Sequence, residues 1–306
     1  MLRLTSVCLL LSTVVCAQES LQVGGDLRGM VDRYLTAFAR QCWERRAQQI
    51  AGITTPEQVA KRQAYIRAKV LEALGGFPEK TPLNPRITGT LERDGYRVEK
   101  LIFESLPRFY VTANVYVPTR GAPPFPAVLG TAGHTASGKA APLYQRVWIT
   151  LAKRGILVLA YDPPGQGERA EYLDELLGRP RFGPTSQHTM AGIPCLLTGT
   201  NFARYELWDG IRAVDYLLTR PDVDPKRIGV AGNSGGGTQT AYLQVVEPRL
   251  AVATPSCYIT SWEKLWFDPG PQDAAGGLCG RDGGQAEGDE EHGFDGVTLI
   301  HGASRM

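Results

Sequence analysis

Two hydrophobic rhythms divide this chain. Between residues 31 and 74 apolar side chains recur at helical spacing: Tyr34, Phe38, Trp43 and Ile50 form one stripe, and Val59, Tyr65, Val70 and Leu74 a second. Thr55-Pro56-Glu57 between them reads as a helix start, with proline in the first turn, where its missing N–H leaves no bond unmade. Gly75-Gly76-Phe77-Pro78 ends the helical part. After Pro85 the period falls to two. Residues 96–104 and 110–117 alternate apolar and polar side chains, and Ser105-Leu106-Pro107-Arg108 turns between them, which predicts an antiparallel pair.

From Pro126 the alternation gives way to short continuous apolar runs at residues 127–130, 155–161, 227–232 and 250–255. Helical stretches separate them: residues 143–154, a helix that ends at Leu218 after a long loop, and residues 238–246. Apolar strands alternating with helices predict βαβ units and a parallel sheet covered on both faces. The expected class is α/β, a mostly parallel sheet flanked by helices and entered through a hairpin. The expected division is a helical extension over residues 18–85, the α/β domain over 86–273, and a tail over 274–306. That tail is rich in Gly and acids, and only residues 297–300 resemble a strand.

Composition narrows the picture. A net charge of +2 on 306 residues, with basic and acidic side chains interspersed, gives no reason to expect a nucleic-acid partner or an anionic membrane surface. Met1-Leu2-Arg3 is a basic start, residues 4–16 are apolar but too short for a membrane span, and small residues precede a cut after Ala17. Residues 1–17 are therefore expected to be a signal peptide, and the mature protein secreted or periplasmic. Of the six cysteines, Cys8 and Cys16 would leave with it. The spacings of Cys42, Cys195, Cys257 and Cys279 match no zinc pattern, and Cys195 with Cys257 stand either as a bridge or as two buried thiols.

The chemistry-bearing segment is Ala231-Gly232-Asn233-Ser234-Gly235-Gly236-Gly237, directly after a buried strand and before a helix. A turn that sharp needs small neighbours, and it presents the central hydroxyl at a helix N-terminus, where free N–H groups favour developing negative charge. Ser234 is read as a nucleophile and the N–H of Gly235 as an oxyanion donor. The spacing departs from both phosphate-loop and dinucleotide fingerprints. A second donor is expected from the Gly130-Thr131-Ala132-Gly133-His134-Thr135 loop, through Gly133 and His134. Chain order argues against His134 as the general base. Asp162, Gln166 and Arg169, in the loop after the next strand, are placed at the ligand crevice, with Asp162 and Arg169 read either as an internal ion pair bracing the site or as parts of a rigid Pro/Gly turn.

These residues carry a resemblance. Asp162-Pro163-Pro164-Gly165-Gln166-Gly167, Trp208-Asp209-Gly210-Ile211-Arg212-Ala213 and the Ser234 elbow resemble the acetyl xylan esterase and cephalosporin-C deacetylase branch of the α/β-hydrolases, although Pro164 stands where that branch carries Arg. Gly133-His134 with Gly138-Lys139, and Cys257-Tyr258-Ile259-Thr260-Ser261-Trp262, are closer to a set of secreted bacterial relatives of these esterases. The resemblance covers roughly residues 31–273. It implies the α/β-hydrolase fold, hydrolysis of small acyl esters (acetyl groups on carbohydrate favoured) through an acyl-enzyme, and no metal or organic cofactor. A prolyl-oligopeptidase-type peptidase and a catalytically impaired remnant are the alternatives. About 72 residues follow Ser234. Strand–helix units take roughly 30 each, so the family's late Asp and His lack room, and a truncated or frameshifted C-terminus is expected. His292, in Glu290-Glu291-His292-Gly293-Phe294, resembles the family's late His-Gly-aromatic motif and is the candidate base; the other reading is a chance match in a solvated acidic loop.

Overall fold

The computed structural model describes residues 29–267 and 300–301. The chain separates into two compact units, Met1–Ile53 and Thr54–Met306. In the first, the described element is helix α1 (Met30–Ala51), with no buried residue. The division falls between residues 53 and 54 rather than at 85/86, because the second predicted helix belongs with the sheet. Helix α2 (Pro56–Ala73) starts at Thr55, whose side chain forms a reciprocal capping box with Gln58. Val70 and Leu71 of α2, with Leu74 just after it, pack against the main core. The Arg67 guanidinium donates to the Val245 and Val246 carbonyls at 2.7 and 3.0 Å, satisfying two groups at a helix C-terminus.

The strands are β1 (Arg86–Arg93), β2 (Tyr96–Leu106), β3 (Phe109–Pro118), β4 (Phe125–Thr131), β5 (Leu157–Tyr161), the short hairpin β6 (Leu173–Asp174) and β7 (Arg179–Pro180), then β8 (Val223–Asn233), β9 (Val252–Ser256) and β10 (Ile300–His301). Helices α3 (Pro142–Lys153), α4 (Pro184–Leu197), α5 (Phe202–Thr219), α6 (Gly235–Val246) and α7 (Trp262–Phe267), with short 3-10 turns at Gly138–Ala140 and Gly167–Arg169, complete the described elements. The main sheet has the order β1-β2-β3-β5-β4-β8-β9-β10. Its centre, β5-β4-β8-β9, is parallel; β1, β2 and β3 join antiparallel on one side and β10 on the other. This is the mostly parallel sheet, entered through a hairpin, expected from the apolar runs, and the arrangement that the resemblance implies. Of the strand suggested at residues 297–300, only Ile300 is described, and most of the predicted tail lies outside the described residues.

Strand alternation builds the two faces. Leu157, Leu159 and Tyr161 of β5 face one core with Ala127 and Leu129 of β4 and Val115 of β3, beneath α5. Val158 and Ala160 face the other, with Tyr144, Trp148 and Ala152 of α3. The loop predicted ahead of Leu218 contains α4 and the β6–β7 hairpin. Only Gln187 and His188 of α4 are buried, and Pro194 lies inside it, so its apolar residues do not mark a buried face. Cys195 and Cys257 are both free thiols, the first half-buried and the second exposed, so they are neither a bridge nor two buried thiols.

Order around β4 locates the turning point of the sheet. The chain leaves β4 through α3 to β5 on one side, then crosses through α5 to β8 on the other side. Loops leaving β4 and β8 therefore diverge at a topological switch point, where open α/β sheets hold ligands. The first carries Gly133-His134 and the second Ser234.

Candidate active site

Ser234 occupies the turn between β8 and α6 with φ 56° and ψ −121°, and its side chain is exposed. A non-glycine residue at positive φ costs on the order of 1–3 kcal/mol and persists only where neighbours over-determine it. Here the Ser234 N–H donates to the Ser256 carbonyl at 2.9 Å, and its carbonyl accepts from the Thr238 N–H at 2.9 Å. The turn also needs bare backbone at Gly236, where a Cβ would overlap the Thr131 carbonyl. Gly235 is buried at the first position of α6, where N–H groups have no intrahelical partner.

The loop after β4 is pressed against this turn. A Cβ on Gly133 would strike the Tyr144 hydroxyl and the Asn233 carbonyl, and would stand 3.2 Å from the Ser234 Cβ. Gln166 is 1% exposed, and its amide donates to the carbonyls of Gly133 (2.8 Å) and Thr135 (3.3 Å). Because the peptide is planar, holding the Gly133 carbonyl sets the direction of the His134 N–H on the opposite side. Gln166 thus acts on the loop from beneath rather than facing a ligand. Tyr144, which nothing in the sequence pattern singled out, meets the Gly133 backbone and the Asn233 side chain, and burial pushes its hydroxyl up.

Asp162 and Arg169 do not pair with each other. The Asp162 side chain is fully buried and accepts from Thr112 Oγ1 (2.7 Å), the Lys139 N–H (2.8 Å) and the Glu168 N–H (3.2 Å), besides the Lys139 ammonium. Arg169 reaches only the Asp162 backbone carbonyl (2.9 Å); its charge partner is Asp209 at 2.6 Å. The physical reason is burial: Asp209 is fully buried and an Asp162–Arg169 pair would have left it without a counter-charge, while the buried Lys139 ammonium is met by Asp162 and, at 2.5 Å, by Glu168. These two pairs brace the loop after β5 and place Asp162 inside, away from any ligand.

His134 is half-buried, with Nε2 3.1 Å from Nδ1 of His188. His188 Nε2 lies 2.8 Å from the Pro164 carbonyl. Burial, with the His134 ring beside it, pushes His188 down to about 3. Its folded value lies below the unfolded one of about 6.5, so the unfolded chain binds the extra proton first and stability is lost as pH falls from about 6 to 4. In urea titrations across that range, wild type should lose about 1.4 kcal/mol per pH unit relative to His188→Leu; parallel curves would show that His188 titrates normally. His292 lies outside the described residues. Among the described residues no cluster of three or more His, Cys, Asp or Glu is disposed to hold a metal, and no helix is long and apolar enough to cross a membrane.

Comparison with known proteins agrees with this fold. The family model described as acetyl xylan esterase (AXE1) matches residues 77–267. The protein YtaP of Bacillus subtilis (strain 168), provisionally named as a hydrolase, is 26% identical over 205 residues, which is 64% of this chain and 64% of YtaP. Among solved structures, a candidate acetyl xylan esterase from Bacteroides fragilis (BF1801) superposes with a TM-score of 0.56 at 22% identity, covering 65% of this chain and 53% of that one. Methylesterase BT1017 does so with a TM-score of 0.54 at 26% identity, covering 67% and 43%. The chain thus spans less than two thirds of the length of each.

Proposed function

Because the chain belongs to the acetyl xylan esterase (AXE1) family, we propose that it is a serine ester hydrolase with Ser234 as nucleophile. The observation that carries the reading is an exposed serine at φ 56°, on a strand–helix turn with the Gly133 loop packed against it. Ser234 Oγ attacks the ester carbonyl carbon as its proton passes to a base. The carbonyl oxygen, now an oxyanion, accepts hydrogen bonds from the Gly235 N–H and from the Gly133–His134 loop. The alcohol departs with a proton, and water then releases the acid from the acyl-enzyme.

His188 does not serve as the base, because its two nitrogens are committed to Pro164 and His134. His292 is the candidate that remains from the family motif. The names of two similar structures refer to acetyl and methyl ester chemistry, which supports a small acyl or alkyl group and, with the family, acetylated carbohydrate as the substrate class. The basic and apolar N-terminal segment supports action outside the cytoplasm. A fluorophosphonate probe should add its mass to the peptide containing Ser234 in the folded protein. Folded protein left unlabelled at Ser234 would remove the serine reading.

A further inference from the structure

One backbone carbonyl decides the direction of the hydrogen bonds across the two imidazoles. The Pro164 carbonyl only accepts, so the His188 Nε2 facing it at 2.8 Å carries a hydrogen. A neutral ring has one N–H, which makes His188 Nδ1 an acceptor. His134 Nε2, 3.1 Å away, must then be the donor. A doubly protonated His188 would reverse this order; burial and the adjacent His134 ring oppose it and outweigh the Glu206 carboxylate, which favours it. The residue is 3% exposed, with the rings of Phe202 and His134 each centred 4.8 Å from its own. The ionisable groups facing it are His134, from the loop after β4, and Glu206 of α5, whose Oε1 is 3.8 Å from Nε2.

We infer that His188 is a positioning residue: it locks His134 as the Nε2–H tautomer and holds the Gly133–His134 loop against Ser234. Neutral His134 then has Nδ1 as its proton-accepting nitrogen. The loop is held at three points, by Gln166 on the Gly133 carbonyl, Tyr144 against the Gly133 backbone, and His188 on the His134 ring. Only the kinetic consequence rests on the serine reading; the tautomer does not.

The direct test is long-range proton–nitrogen NMR on the full chain labelled with ¹⁵N-histidine, the rings assigned through His134→Gln and His188→Leu. Both His188 and His134 should show the Nε2–H tautomer at neutral pH, with His188 unchanged from pH 8 to pH 5.5. An Nδ1–H tautomer at either ring, or a His188 that titrates in that window, overturns the inference. The kinetic arm uses p-nitrophenyl acetate. His188→Leu fills the space without accepting a hydrogen bond and should lower kcat by about tenfold or more, with KM within about twofold. His188→Asn, whose Oδ1 can accept from His134, should recover kcat to within about threefold of wild type; equal rates for Leu and Asn overturn the positioning role. A wild-type protein that shows both tautomers yet hydrolyses no ester would refute the serine reading and leave the tautomer assignment standing.

Discussion

Ser234→Ala should lower kcat for p-nitrophenyl acetate by about 10³-fold or more while leaving KM within about threefold. The hydroxyl supplies the bond that splits one difficult acyl transfer into two easier ones, and nothing else at the turn offers an oxygen nucleophile in its place. The substitution exchanges one non-glycine side chain for another at φ 56°, so backbone strain is nearly unchanged and the fold should survive it. Any rate that remains reflects the oxyanion donors and binding alone. Circular dichroism and the unfolding midpoint of the variant, matched to wild type, would confine the loss to chemistry. Equal turnover by the two proteins would end the assignment of Ser234 as nucleophile.

The largest stability effect is expected from Asp209→Ala. Asp209 is fully buried on α5, and its partner Arg169 has a side chain only 8% exposed. Burial pushes the Asp209 carboxyl up, and the Arg169 charge opposes that rise. Removing the carboxylate leaves a guanidinium enclosed beside Phe109, with an expected cost of about 3–5 kcal/mol. For a unit of this size that lowers Tm by on the order of 10 °C. Removing both charges should cost less than removing Asp209 alone, since no unpaired ion then remains buried. Calorimetry on Asp209→Ala and on the double variant Asp209→Leu, Arg169→Met checks the ordering. A double variant less stable than Asp209→Ala would show that the pair itself, rather than compensation of a buried ion, stabilises the fold. Because Arg169 also donates to the Asp162 carbonyl, kcat should fall with stability in Asp209→Ala.

Hydrophobic rhythm placed β2, β3, β4, β5, β8 and β9, but not β1, which is exposed along nearly its whole length, nor the short β6–β7 hairpin. The unbroken apolar run at Leu157–Tyr161 is buried on both faces, and Tyr96–Leu106 also feeds both cores, with Tyr96 and Val98 in the one beneath α3 and Leu101 and Phe103 in the other. Helix α4 escaped that reading because its exposed face carries Met190, Ile193, Leu196 and Leu197, so apolar residues there do not report burial. Gly133 and Gln166 stood out in the sequence from their loops, but the contact between them did not. No spacing reveals that the Gln166 amide grips the Gly133 carbonyl from below.

From the order of residues alone came the alternation of strands and helices, the capped start of α2 at Thr55, and the small-residue turn that displays Ser234. These are local, since periodicity, capping and glycine content act within a few neighbours. Only the tertiary structure decided that Asp162 pairs with Lys139 and Arg169 with Asp209, that Tyr144 reaches Gly133, and that His134 and His188 share a hydrogen. Those partners lie 11 to 54 positions apart in the chain. What selects them is the cost of burying a charge or a polar atom without a mate, a quantity that exists only after the chain has closed around it.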